Sequence, residues 1–121
     1  MTKNNVKYRE DKDSTFYHQG NYYSVNALFE AIEKNNIKLQ KFKVNDLKWI
    51  IPYGTADFKR YKKADVTTPI CVVEDEGRLC TVDGYHRLCK ATDTGVKELN
   101  GYLVDKDSLQ SALVKTPFKL F

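Results

Sequence analysis

A chain of 121 residues with 41% hydrophobic content is long enough to build one core without disulfide or metal staples. The formal net charge of +4 excludes neither small anions nor nucleic acid as partners. No apolar run approaches the roughly 18 residues that a membrane span needs, so we expect a soluble, cytoplasmic protein without a membrane partner.

Met1 to Asp13 is polar and charged and is expected to form a loose arm ahead of a single domain spanning 14–121. Phe16 to Tyr23 is an aromatic stretch broken by His18-Gln19-Gly20-Asn21, the pattern of a small hairpin. Ser24 or Asn26 can cap a helix over about 25–35 that carries Leu28 and Ile32 on one face, and Asn35-Asn36 ends it. Phe42, Val44, Leu47, Trp49 and Ile51 alternate in the manner of a strand, interrupted at Asn45-Asp46 and closed by Pro52-Tyr53-Gly54. Ala56 to Ala64 reads as a short charged helix capped by Thr55, before Thr67-Thr68-Pro69 forces extended backbone.

The second half is plainer. Ile70 to Val73 and Leu79 to Val82 predict two antiparallel strands around a turn at Glu74 to Gly77. Gly84 opens a helix with Leu88, Cys89 and Thr92 toward the core and Gly95 as its left-handed stop. A strand over Leu99 to Val104 and a last helix capped by Asp107 or Ser108 complete an α+β fold with a mixed sheet. Cys71, Cys80 and Cys89 lack the spacing of a zinc site. A bridge between Cys71 and Cys80 across the hairpin is the lesser alternative to three reduced packing thiols.

The chemistry concentrates at Asp83-Gly84-Tyr85-His86-Arg87. A strand that turns directly into a helix leaves backbone N–H groups unpaired where the macrodipole favours negative charge, which makes an anion site. Gly84 removes a side chain from that junction, Arg87 offers a fork for phosphate oxygens, and His86 adds a donor or a proton-transfer group. The plainer roles are that Asp83 caps the helix, Tyr85 packs in the core and Arg87 pairs with Asp83 or Glu98. A second feature is the run from Phe58 to Lys63, where Phe58 and Tyr61 interleave with Lys59, Arg60, Lys62 and Lys63. The plainer reading of these charges is a solvated surface, and the alternative is a patch for phosphates and bases, with DNA as its partner.

The segments Pro69 to Val73, Gly77 to Leu79, Val82-Asp83-Gly84-Tyr85-His86-Arg87-Leu88-Cys89-Lys90-Ala91, Gly95 and Tyr102 to Val104 together resemble the core of the ParB and sulfiredoxin superfamily. The resemblance covers about a third of the chain, placing the core at 42–105. It implies a nucleotide-binding domain that holds ATP or another nucleoside triphosphate, with Mg2+, at the helix start through Gly84, Tyr85, His86 and Arg87. Two departures matter. Sulfiredoxins carry a cysteine immediately before the His-Arg pair, where this chain has Tyr85, which argues against sulfinic-acid repair. Partition proteins carry a helix-turn-helix module and a dimerisation tail after this domain, and about 17 residues follow Val104 here.

The small kinases of the superfamily share the D-G-x-H-R junction, and by that resemblance Asp83 and His86 are the catalytic candidates. Asp83 would orient Mg2+ or an acceptor hydroxyl, while Asp46 and Asp57 are guesses for an upstream acid. The expected activity is ATP hydrolysis or phosphoryl transfer. The alternative is a non-catalytic DNA-binding, ParB-like nuclease-type or host-interacting protein, and the lysine- and asparagine-rich composition suits a phage protein.

Overall fold

A computed structural model describes residues 14–114. The expected arm over residues 1–13 lies outside them. The chain divides into two compact units, one built from the segments up to Ile37 and from Val104 onward, the other from Lys38–Leu103. The secondary structure is α+β, as the sequence predicts.

In the first unit, β1 (Thr15–His18) and β2 (Asn21–Ser24) pair antiparallel across Gln19 and Gly20, both at positive φ. Two consecutive positive values give the turn a twist that matches a tight hairpin. Ser24 then caps α1 (Val25–Lys34), its side chain accepting from the Ala27 N–H at 3.0 Å. Leu28 and Ile32, four residues apart, are buried on one face. The last helix, α5 (Lys106–Gln110), is capped by Asp105, two residues before Asp107 and three before Ser108, because its carboxylate reaches both the N–H and the hydroxyl of Ser108. The fully buried Ser108 hydroxyl accepts from the Asn35 side-chain amide at 2.7 Å.

In the second unit, four strands form a mixed sheet in the order β3 (Leu39–Lys43), β6 (Glu98–Leu103), β4 (Ile70–Asp75), β5 (Arg78–Asp83). β3 with β6 and β4 with β5 are antiparallel, while β4 and β6 are parallel, with Ile70 opposite Gly101. The hairpin turn is Glu76-Gly77, again with both φ positive. Helix α4 (Tyr85–Asp93) supplies the crossover from β5 to β6. Its Leu88 and Ala91 pack with Ile70, Val72, Phe42 and Leu99 in one core. Ala91 occupies the place expected for Thr92, which is half-buried.

The alternation from Phe42 to Ile51 does not continue as a strand. Extended backbone stops at Lys43, and Val44–Leu47 is a helical turn, α2, that passes into a 3-10 helix over Lys48–Tyr53. Val44 and Leu47 are three residues apart, a spacing that shares a helix face, and both are buried in the core. The short helix α3 (Phe58–Lys63) is capped by Asp57, not Thr55, through an acceptor on the Lys59 N–H at 3.2 Å.

Candidate functional site

The site is the junction between β5 and α4. Gly84 sits there with φ 109° and ψ 23°, a backbone that L side chains rarely adopt. No side chain caps the helix, and the N–H groups of Tyr85, His86 and Arg87 find no acceptor among the described residues. Residues 84–87 are half-buried. Three unpaired N–H groups at the positive end of a nine-residue helix are a donor set of the kind that suits an anion.

The side chains around those donors are engaged. The Arg87 guanidinium donates through Nη1 to the carbonyls of Thr68 and Pro69, at 3.3 and 2.5 Å. Through Nη2 it pairs with Asp83 Oδ2 at 3.2 Å. The two side chains are only 16% and 11% exposed, so this is a shielded pair and not a solvated one. Asp83 also offsets a cation in the first turn of a helix, where the dipole disfavours positive charge. Of the two partners considered for Arg87, the structure selects Asp83 over Glu98.

His86 Nε2 accepts a hydrogen bond from the backbone N–H of Asp57 at 2.9 Å. Burial, and then the nearby Arg60 and Arg87 cations, hold the imidazole below its ordinary pKa of 6.5, against the opposing pull of Asp57. In the neutral tautomer that this bond selects, Nδ1 carries the proton, so His86 offers a donor and not a free base.

Tyr85 turns away from a stacking role. Its hydroxyl donates to the Ile51 carbonyl at 2.7 Å, and its ring fills the space where a side chain on Gly54 would stand. Gly84 packs in a similar way, since a Cβ there would lie 2.5 Å from Ile70 Cγ2. Of the two upstream acids, Asp57 is brought to His86 by its backbone, while Asp46 is exposed on α2. No group of three His, Cys, Asp or Glu is assembled for a metal among the described residues. Asp83, with one oxygen on Arg87, is the lone carboxylate of the junction.

Sequence reasoning missed the tie between the two helices. Besides the Asp57–His86 bond, Tyr61 Oη donates to Asp93 at 2.8 Å and Lys90 Nζ donates to the carbonyls of Lys62 and Ala64. None of these contacts has a local signature, because the partners lie 26 to 32 residues apart. A separate cavity of about 340 Å3 lies at the other end of α4, lined by Thr92 and Gly95 together with Lys43, Asn45, Lys48 and Lys97. The part of α4 that it meets is the carbonyl end of the helix, where the dipole disfavours an anion.

No protein-family model matches this chain, and no curated protein sequence does. Among solved structures it is similar to the crystal structure of sulfiredoxin from Arabidopsis thaliana, with a TM-score of 0.48 and 16% sequence identity, covering 60% of this chain and 93% of that one. No helix among the described residues is long and apolar enough to cross a membrane.

Proposed function

We propose that this protein binds a nucleotide through its phosphates at the first turn of α4. The observation that supports this reading is the set of N–H groups on Tyr85, His86 and Arg87 left without acceptors beside a left-handed glycine. In this reading the anion rests on backbone amides, which suit phosphate oxygens at a helix start. His86 Nδ1–H adds one donor. Arg87 is a positioning residue: it pins the Thr68-Pro69 segment and Asp83 beside the junction, and its charge favours the bound anion. Mg2+ would accompany the nucleotide, with the remaining oxygen of Asp83 as the nearest protein ligand.

Binding is better supported than turnover. A general base would need the His86 lone pair, which the Asp57 amide occupies, or the Asp83 carboxylate, which Arg87 neutralises. ATP hydrolysis or phosphoryl transfer would be a step beyond binding, and product release distinguishes them from it. The test is a calorimetric titration with each of the four nucleoside triphosphates and with inorganic triphosphate, all with Mg2+, with released phosphate assayed in parallel. Saturable heat from a nucleotide, displaced by inorganic triphosphate, is the expected result. No heat with any of the five ligands at millimolar concentration would remove the phosphate site.

A further inference from the structure

We propose that α3 forms a docking surface for single-stranded nucleic acid. Residues 53–63 hold four cations, Lys59, Arg60, Lys62 and Lys63, against one carboxylate, Asp57. They account for three of the four excess positive charges of the whole chain. The way α3 is fastened explains why those charges are available. It is held to α4 by Tyr61 Oη, by the carbonyls of Lys62 and Ala64, and by the Asp57 amide. None of these ties uses a cationic side chain of α3, and all four cations are exposed. Arg60 has only a loose 3.9 Å approach to Asp57, and the Lys62 ammonium lies 5.5 Å from the Phe58 ring centroid.

The aromatic residue of this face narrows the ligand class. Phe58 is 70% exposed and lies beside the Lys62 ammonium. An exposed ring among exposed cations fits a ligand that alternates phosphates with flat apolar faces, which is an unpaired nucleic acid strand. A duplex hides its base faces, so it would leave the exposed Phe58 ring nothing to stack on. The inference does not depend on nucleotide binding at α4 and is measured with no triphosphate present.

Fluorescence anisotropy with a labelled single strand of about 12 thymidines, compared with a duplex of equal length, tests it. We expect the single strand to bind at least tenfold tighter than the duplex. Its log affinity should fall with log salt at a slope of about −3 if four phosphates are contacted. Replacing Lys59, Arg60, Lys62 and Lys63 by Ala together should bring that slope close to zero. Phe58→Ala should lower affinity about tenfold while leaving the slope unchanged, because it removes stacking and not charge. Circular dichroism confirms folding of each variant. Equal affinity for duplex, full competition by inorganic polyphosphate at matched charge, or an unaffected Phe58→Ala protein would overturn the proposal. Any of those outcomes would leave α3 as a general anion patch, as would equal adsorption to phosphatidylglycerol vesicles.

Discussion

Ile70 occupies the space that a side chain on Gly84 would need: a Cβ at Gly84 would lie 2.5 Å from Ile70 Cγ2 and 3.0 Å from Ile70 Cβ. The glycine therefore answers two demands at once, a positive φ at the strand-to-helix junction and close packing of a fully buried core residue. Ile70 is confined on a second side too, since a Cβ on Gly101 would meet its carbonyl oxygen at 2.7 Å and its Cγ1 at 2.8 Å. The start of α4 is thus set against the core, which fixes the geometry of its unpaired amides.

Gly84→Ala should consequently cost more than a backbone penalty. Gly77 provides the comparison, because it also has a positive φ but nothing within 4 Å of its absent Cβ. Gly77→Ala is expected to cost about 1–2 kcal/mol from the left-handed backbone alone. Gly84→Ala adds overpacking against Ile70 and should reach about 3 kcal/mol. Urea denaturation of the two variants measures the difference. Equal midpoints would show that Ile70 yields freely and that the junction is less rigid than its contacts imply.

The Asp83–Arg87 pair should carry more stability than a surface ion pair. Arg87→Ala leaves a largely buried carboxylate and two carbonyls without their donor, and about 3 kcal/mol of destabilisation is expected. Asp83→Asn keeps an acceptor for Nη2 and should cost less. Removing both side chains should cost less than the sum of the single losses, since the unpaired charge is then gone. Strict additivity in a double-mutant cycle would mean that the two residues act separately.

His86 makes stability depend on pH in a defined direction. Its pKa lies below 6.5 in the folded state, first because of burial and then because of Arg60, so the unfolded chain takes up the proton first as pH falls. This contribution is complete above about pH 6.5 and is lost as pH falls through the lower folded value. Protonation would also turn an N–H of the ring toward the Asp57 N–H, breaking the tie to α3. Thermal unfolding between pH 7.5 and 5 should show a falling Tm. His86→Gln, whose side-chain oxygen can accept the same bond, should flatten the curve. Asp105 does not confound this window, because the Ser108 hydroxyl holds its carboxyl below 3.8. An unchanged pH profile in the Gln variant would assign the effect elsewhere.

The second half of the sequence was legible because its signals are local. A hydrophobic run from Ile70, the Glu76-Gly77 turn, and the Gly84 and Gly95 bounds of α4 each need only a few neighbouring residues to be read. The segment from Phe42 to Tyr53 misled because Phe42 and Val44 fit a strand period while Val44 and Leu47 fit a helical one, and tertiary packing decides between them. The candidate junction was legible as a place but not as a set of contacts. The partners of Arg87 at Thr68 and Pro69, of His86 at Asp57 and of Tyr85 at Ile51 lie 18 to 34 residues away, beyond any motif.

The three cysteines offer a check on how tightly the second unit is packed. All are free and buried, and the β4–β5 register sets Cys80 opposite Val73 while Cys71 faces Asp83, so the two do not meet across the hairpin. Burial is the leading cause that pushes each thiol above its usual 9.0, most strongly at Cys71. Since the thiolate is the reactive form, a disulfide reagent such as Ellman's should react slowly with the native protein at pH 8 and with all three thiols at once in guanidinium. Cys71 should be last among them, because it is 0% exposed against 7% for Cys80 and 8% for Cys89. Tyr85→Phe removes the anchor on Ile51 and should speed labelling of Cys89, one turn along α4, while leaving Cys71 protected. Rapid labelling of Cys71 in the native state would mean that the sheet opens far more readily than its buried contacts allow.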